Sequence, residues 1–184
     1  MQGWLIAIIV IVVVLVLFVV FLYNSVIRLR NQIKNSWAQI DVQLKRRNDL
    51  IPNLIESVKG YMKHEKGVLE SITKARTSIM NTTDPAKKAK ASDALSGTLK
   101  SLFAVAENYP KLQANQNFLQ LQEELSGTEN KIAYSRQHYN DMVMLFNTRI
   151  QTFPNNVVAR MMNFTAEKSL ETPVVERKNV KVQF

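Results

Sequence analysis

The stretch Trp4–Tyr23, WLIAIIVIVVVLVLFVVFLY, is twenty apolar residues without a break, and the first charged side chain of the chain is Arg28. At helical rise such a run spans roughly 30 Å, the thickness of a bilayer's hydrocarbon core. Trp4 and Tyr23 bracket it. Their amphipathic rings suit the two membrane–water interfaces. A cleaved secretory signal is a poor reading, because Met1-Gln2-Gly3 has no Lys or Arg, the run is too long, and Tyr23-Asn24-Ser25-Val26-Ile27 is a poor cleavage site. A lipoprotein signal needs a cysteine, and the chain has none. A core helix is a poor reading as well, because an ordinary helix of a globular protein shows a polar face, which this run lacks. The run therefore reads as an uncleaved transmembrane anchor, with its span at about residues 4–23.

The flanking charge predicts its direction. Arg28, Arg30 and Lys34, then Lys45-Arg46-Arg47, follow the run, and nothing basic but the terminal amine precedes it. Lys and Arg close to a span favour the cytoplasmic side. The expectation is a short N-terminus outside and a C-terminal body in the cytoplasm. Residues 1–27 then form the tail and transmembrane helix, 28–170 a cytoplasmic body and 171–184 a C-terminal tail.

Beyond the span remain about 155 residues, enough for one compact domain. They carry the whole net charge of +9 and few glycines, and they are rich in Lys, Gln, Asn, Ser and Leu. That composition favours helices. The absence of cysteine excludes disulfides, thiolate zinc sites and cysteine nucleophiles. Between Arg28 and Gly60 there are seven basic and three acidic residues, and this stretch leaves the membrane directly. Anionic headgroups are a better match for it than nucleic acid, each nearby cation there being worth about 1 kcal/mol. The plainer reading is a solvated face that sets orientation.

A helical stripe continues from the anchor. Val26, Leu29, Ile33, Trp37, Ile40, Leu44, Arg47, Ile51, Leu54, Val58, Tyr61, Glu65, Val68, Ile72, Ala75 and Ile79 follow at spacings of three and four. The mean period is near 3.5, that of bundle and coiled-coil seams. Anchor and first soluble helix read as nearly continuous. Pro52 lies within the stripe without changing its phase, so a kink is expected there rather than a break, with Asn48 or Asp49 helping to satisfy the freed groups. Gly60 and Gly67 are mild weak points.

Asp84-Pro85 has the form of a cap and first helical residue. It opens a helix to about Glu107 with Ala91, Leu95, Leu99, Leu102 and Ala106 facing inward. Pro110 opens another, carrying Phe118, Leu121, Leu125, Thr128, Ile132, Ser135, Tyr139, Met142, Phe146 and Ile150 on one face and stopping before Phe153-Pro154. Val157–Phe164 reads as a last short helix, and Glu171–Phe184 as a disordered end or a strand-like docking peptide. Long helices with short polar connections imply an all-α fold, an up-and-down antiparallel bundle behind a single N-terminal span. A parallel coiled-coil oligomer is the alternative.

Catalytic signatures are missing. His64-Glu65 begins like a zinc-protease motif, but position 68 is Val68, and the only other histidine is His138. There is no glycine-rich phosphate loop and no Gly-x-Ser-x-Gly elbow. No catalytic, cofactor-binding or metal-binding residue is assigned, and no enzymatic activity is expected. Charges on or beside the apolar stripes stand out instead: Arg47, Glu65, Arg76, Glu129 and Arg136. A buried charge is costly unless paired. These residues are therefore candidates for ion pairs between helices, with a polar ligand pocket as the functional alternative. Asn81-Thr82-Thr83 and Asn163-Phe164-Thr165 match the glycosylation pattern but should stay unmodified in a cytoplasmic body.

Several stretches together resemble the LemA family of bacterial membrane proteins. They are WAQIDVQLKRRNDLIPNL (Trp37–Leu54), YMKHE (Tyr61–Glu65), YPKL (Tyr109–Leu112), LQEEL (Leu121–Leu125), TENKIA (Thr128–Ala133), and the positions Arg136, Tyr139-Asn140, Asn147 and Phe153-Pro154. The resemblance covers nearly the whole chain. It implies a single-pass protein of the bacterial inner membrane with a cytoplasmic helical bundle, no established enzymatic activity and no catalytic residues to carry over. It also suggests a membrane quality-control setting, since such genes often lie beside membrane metallopeptidases. The expected function is non-enzymatic: a bundle presented for protein interaction or self-assembly at the membrane. The alternative is an anionic-lipid sensor or membrane-shaping protein acting through Arg28–Arg47.

Overall fold

The computed structural model describes residues 2–62 and 64–171. All regular structure among them is helical: α1 (Gln2–Lys59), α2 (Lys66–Met80), α3 (Pro85–Ala106), α4 (Pro110–Gln113), α5 (Gln116–Gln151) and α6 (Asn155–Met161). The expected tail lies outside the described residues apart from Glu171. Two compact units divide the chain. One takes in residues up to Ser36 together with Gln137–Ser169. The other takes in Trp37–Arg136 together with Leu170 and Glu171.

In the Trp37–Arg136 unit, the last part of α1, then α2, α3 and the first part of α5 form an up-and-down four-helix bundle. Cross-helix contacts give the directions. Arg76 of α2 meets Asn48 of α1, Lys88 of α3 meets Asp41, and Glu129 of α5 meets Arg47. Helices α1 and α3 thus run parallel, with α2 and α5 antiparallel to them. The core is the expected stripe: Ile51, Leu54 and Val58 of α1, Ile72 and Ile79 of α2, Leu95, Leu99 and Leu102 of α3, and Phe118 and Leu125 of α5. Ala91 is only half-buried, and Ser92 takes its place inside. The rings of Phe103 and Phe118 meet edge-on at 6.2 Å, a geometry that aromatic quadrupoles favour.

The first soluble helix does not run unbroken to Ile79. It ends at Lys59, and a turn reverses the chain before α2. Gly60 has low helix propensity, and the Tyr61 and Met62 N–H groups both donate to the Val58 carbonyl, at 3.0 and 2.9 Å. Met62 plugs the turn, almost fully buried. The apolar spacing stays in phase because α1 and α2 bury their faces in the same core. The second connection is as the sequence indicates: Asp84 accepts from the Lys87 N–H at 2.8 Å, with Pro85 as the first helical residue. Pro110 opens only the four-residue α4. The long helix begins afresh at Gln116, where the Asn115 side chain accepts from the N–H groups of Asn117 (2.9 Å) and Phe118 (3.3 Å).

Helix α1 continues through Pro52. Proline lacks the N–H that would bond the carbonyl of residue 48. Arg76 replaces that donor from α2, its Nε lying 3.1 Å from the Asn48 oxygen. Neither Asn48 nor Asp49 supplies it. Removing Arg76's donor by Arg76→Met should cost about 1–2 kcal/mol. In a Pro52→Ala background the restored Ala N–H can reclaim that carbonyl. There the same substitution should cost clearly less, in urea unfolding of the full-length protein in detergent. Equal costs in the two backgrounds would contradict the assignment.

In the other unit, Leu22, Val26, Leu29 and Ile33 of α1 are buried, as are Tyr139, Val143, Phe146 and Ile150 of α5. After α5 the chain turns at Phe153-Pro154 into α6, which begins at Asn155 rather than Val157 and stops at Met161 rather than Phe164. The stop is a Schellman motif. Asn163 takes φ 54°, a left-handed conformation that Asn tolerates better than most residues. The Phe164 N–H reaches back to the Ala159 carbonyl at 2.9 Å, and the Asn163 N–H to Arg160 at 3.3 Å. The chain then returns along α5. Asn147 clamps Glu167 with two bonds, Nδ2 to its carbonyl and Oδ1 from its N–H, both 2.9 Å.

Candidate functional site

The strongest concentration of polar chemistry is one side of α3. Lys88, Ala89, Ser92, Asp93 and Ser96 repeat at helical spacing, so they line up on one face. This face meets charged residues of α1 and α5. The side chain of Arg47 is wholly buried and ion-paired to Glu129 of α5. Its Nη1 also donates to Ser96 Oγ at 3.0 Å, and its Nη2 to the Ser92 carbonyl at 3.0 Å and to Ser92 Oγ. The Ser96 hydroxyl donates to the second Glu129 oxygen at 2.7 Å. Two turns beyond Glu129, Arg136 of α5 donates to Asp93 at 2.6 Å and to the Ala89 carbonyl at 2.8 Å. Lys88 pairs with Asp41 of α1.

Local sequence explains why these residues converge. Arg47 occupies an apolar-stripe position of α1, so its side chain must enter the core. Ser92 lies one turn before Ser96 on the α3 face opposite it, and these small side chains leave room for the guanidinium. Glu129 and Arg136 are seven residues apart on α5, two turns along one face, and each reaches a different partner rather than the other. Burial lowers the pKa of Arg47, Glu129 raises it, and the second cation Arg136 lowers it further. The paired carboxylate is thus what keeps a buried guanidinium tolerable. Arg47 Nε and Arg136 Nε have no hydrogen-bond partner among the described residues.

The five charged positions singled out from the sequence therefore separate. Arg47 with Glu129, and Arg136 with Asp93, make ion pairs between helices. Arg76 instead serves the orphaned carbonyl opposite Pro52. Glu65 stands in the turn before α2 and accepts from the Tyr109 hydroxyl at 3.4 Å. Desolvation, then the Glu65 carboxylate, holds that hydroxyl above the ordinary tyrosine range. Ser92, Ser96 and Asp93 went unread in the sequence, because short polar residues in a Lys- and Ala-rich helix look like solvated surface. Their offset from the Leu95/Leu99/Leu102 stripe is the available signal.

The cluster's charged groups are engaged with one another across the helices. Glu129 and Asp93 are bonded to guanidinium groups, so neither is poised as a general base. The serine hydroxyls are bonded to Arg47 and, for Ser96, to Glu129, while Lys88 on the same face is paired with Asp41. Among the described residues no group of three or more His, Asp or Glu side chains is placed to hold a metal ion. His64 lies exposed in the turn before α2.

A groove of about 960 Å³ runs along α1 and α2 of the same unit, its floor including Ile55, Met62 and Leu69. Lys59, Lys66 and Lys74 stand along it, with Glu70 among them.

The apolar run is also set apart by its environment. Its most apolar window has a mean hydropathy of 3.9 and is almost entirely unburied. A soluble core helix would be covered.

The protein-family model described as the LemA family matches residues 36–184. The chain is 30% identical over 161 residues to "Protein LemA" of Metamycoplasma hominis, an alignment covering 85% of this chain and 72% of that protein. The match takes in the α1 segment with Arg47, the α3 face and the α5 segment with Glu129 and Arg136. On a family match over most of its length and this relative, the chain belongs to the LemA family.

Proposed function

We propose that this protein is a single-pass bacterial inner-membrane protein that presents its four-helix bundle to protein partners, or to further copies of itself, in the cytoplasm. The observation that carries this is α1. One helix contains both an uncovered apolar run long enough to cross a bilayer and the first strut of the bundle. Arg28, Arg30 and Lys34 follow the run without an intervening acid, which favours a cytoplasmic body. The polar network of α3 is consumed in holding helices together, which supports a role without catalysis. The groove along α1 and α2 has an apolar floor and three lysines beside it, features that suit an acidic amphipathic helix laid along it.

Crosslinking in native membranes tests this. Full-length protein should give discrete crosslinked species, to itself or to a partner, through groove positions. Leu69→Glu, which places a charge on the half-buried floor, should reduce them at least several-fold while leaving membrane association unchanged. A protein that stays monomeric and uncrosslinked, or a groove variant that crosslinks as the parent does, would contradict the docking role.

A further inference from the structure

The turn and short helix after α5 carry an unpartnered apolar surface. Phe153 is 82% exposed and Met161 70%, with Val157 and Met162 also exposed. Val157 and Met161 are four apart within α6 and so share one side of it, and Phe153 stands exposed in the turn just before that helix. Isolated exposed apolar residues are ordinary, but a contiguous group of large ones marks a contact surface.

Contacts inside this unit place that surface beside the end of the apolar run. The returning chain lies antiparallel to α5: Tyr139 donates to the Lys168 carbonyl, Asn147 holds Glu167, and Phe146 meets the Phe164 ring at 6.5 Å. Residues before Phe164 therefore lie towards the C-terminal end of α5. At that end the Phe164 ring also meets Tyr23, at 6.1 Å. Tyr23 is the last residue of the run and its interfacial aromatic. Leu22 beside it is 7% exposed, whereas large side chains from Trp4 to Phe21 are uncovered. Covering of the run begins where this tip sits.

Charge agrees. Between Asp141 and Glu167 there is no acidic residue, while Arg149 and Arg160 are both exposed. The adjoining part of α1 has Arg28, Arg30 and Lys34 and no acid before Asp41. Long cationic side chains flanking an apolar face can reach phosphates while the face enters the acyl boundary.

We infer that the α5–α6 tip is a second membrane element. Its exposed apolar residues Phe153, Val157 and Met161 lie in the interfacial layer of the leaflet that the anchor leaves, with Arg149 and Arg160 at the headgroups. The partner is the lipid bilayer itself, in a surface continuous with the span. This rests on the reading of Trp4–Tyr23 as a transmembrane anchor. A tip so seated would tie the α5 end of the chain to the membrane as well as the α1 end.

The chain has no cysteine, so single labels are clean. Full-length protein carrying Met161→Cys or, separately, Val157→Cys is labelled with an environment-sensitive fluorophore and reconstituted into vesicles of neutral and anionic phospholipid. Leu17→Cys in the run and Tyr134→Cys on the exposed bundle surface serve as references, and unchanged helicity confirms folding. The expected result is a blue shift at 161 and 157, quenching by lipids with a nitroxide high on the acyl chain, and loss of quenching by aqueous iodide. Leu17 should respond to deep nitroxides and Tyr134 to iodide alone. If Leu17 is quenched by lipid while 161 and 157 stay open to iodide, the tip proposal falls and the anchor stands. If Leu17 itself escapes lipid quenchers, the anchor reading falls and takes this proposal with it. If 161 and 157 are shielded from both quenchers and crosslink between copies, the occupant is a second copy and the lipid assignment is wrong.

Discussion

Glu129→Ala should destabilise the protein by about 3–5 kcal/mol, far more than an ordinary surface truncation, although Glu129 is itself partly exposed. The cost arises at its partner. Arg47 is completely enclosed, and without Glu129 its positive charge keeps its hydrogen bonds to Ser92 and Ser96 and the more remote attraction of Asp93, which is already paired to Arg136. Arg47→Met should cost less, because the carboxylate left behind reaches water and the replacement fills the space with apolar atoms. The double substitution Arg47→Met/Glu129→Leu should restore much of the loss, since exchanging a buried pair for packed hydrophobes is often neutral or stabilising. Denaturant unfolding of the full-length chain in detergent reads all three. If Glu129→Ala stayed within about 0.5 kcal/mol of the parent, the range of an ordinary surface change, the network would not be holding the bundle together.

The second large effect concerns the apolar run. Arginine at the centre of a spanning helix costs about 2.5–3.5 kcal/mol on the insertion scale. Val12→Arg and Leu15→Arg together should therefore remove about 5–7 kcal/mol of insertion free energy. They should move the protein from the carbonate-resistant membrane fraction to the soluble or aggregated fraction. The control places the same two arginines at exposed bundle positions, Val42→Arg and Tyr134→Arg, and should leave fractionation unchanged. Equal retention of both double variants would show that Trp4–Tyr23 does not hold the protein in the membrane.

The sequence makes the helical class and the bundle readable because the apolar spacing from Val26 to Ile79 and from Phe118 to Ile150 follows the helix period. Asp84-Pro85 was readable too, since capping chemistry is local. The reversal at Gly60–Glu65 was not. Two helices that bury their faces in one core keep their apolar residues in phase across the turn, so periodicity carries no mark of the break. The role of Asn115 was hidden behind Pro110, a stronger helix-start signal that opens only one turn.

At the polar cluster the pattern is similar. Arg47 in an apolar stripe announced a buried charge, but its partners lie 45 and 82 residues further along the chain. Spacing within a helix cannot select them. Arg76 shows the same limit in another form. Pro52 tells which carbonyl loses its donor, and only the packing of α2 on α1 tells which side chain replaces it.

The anchored-bundle reading is tested most directly by which side of the membrane the bundle occupies. Tyr134 is 75% exposed in the bundle unit, and the natural chain has no cysteine, so Tyr134→Cys provides one reporter. In intact bacterial cells producing this full-length variant, a membrane-impermeant maleimide should leave it unlabelled. After the inner membrane is opened it should label fully, with the protein in the carbonate-resistant fraction. Labelling in intact cells, or recovery of folded protein in the soluble fraction, would contradict a cytoplasmic bundle held by α1.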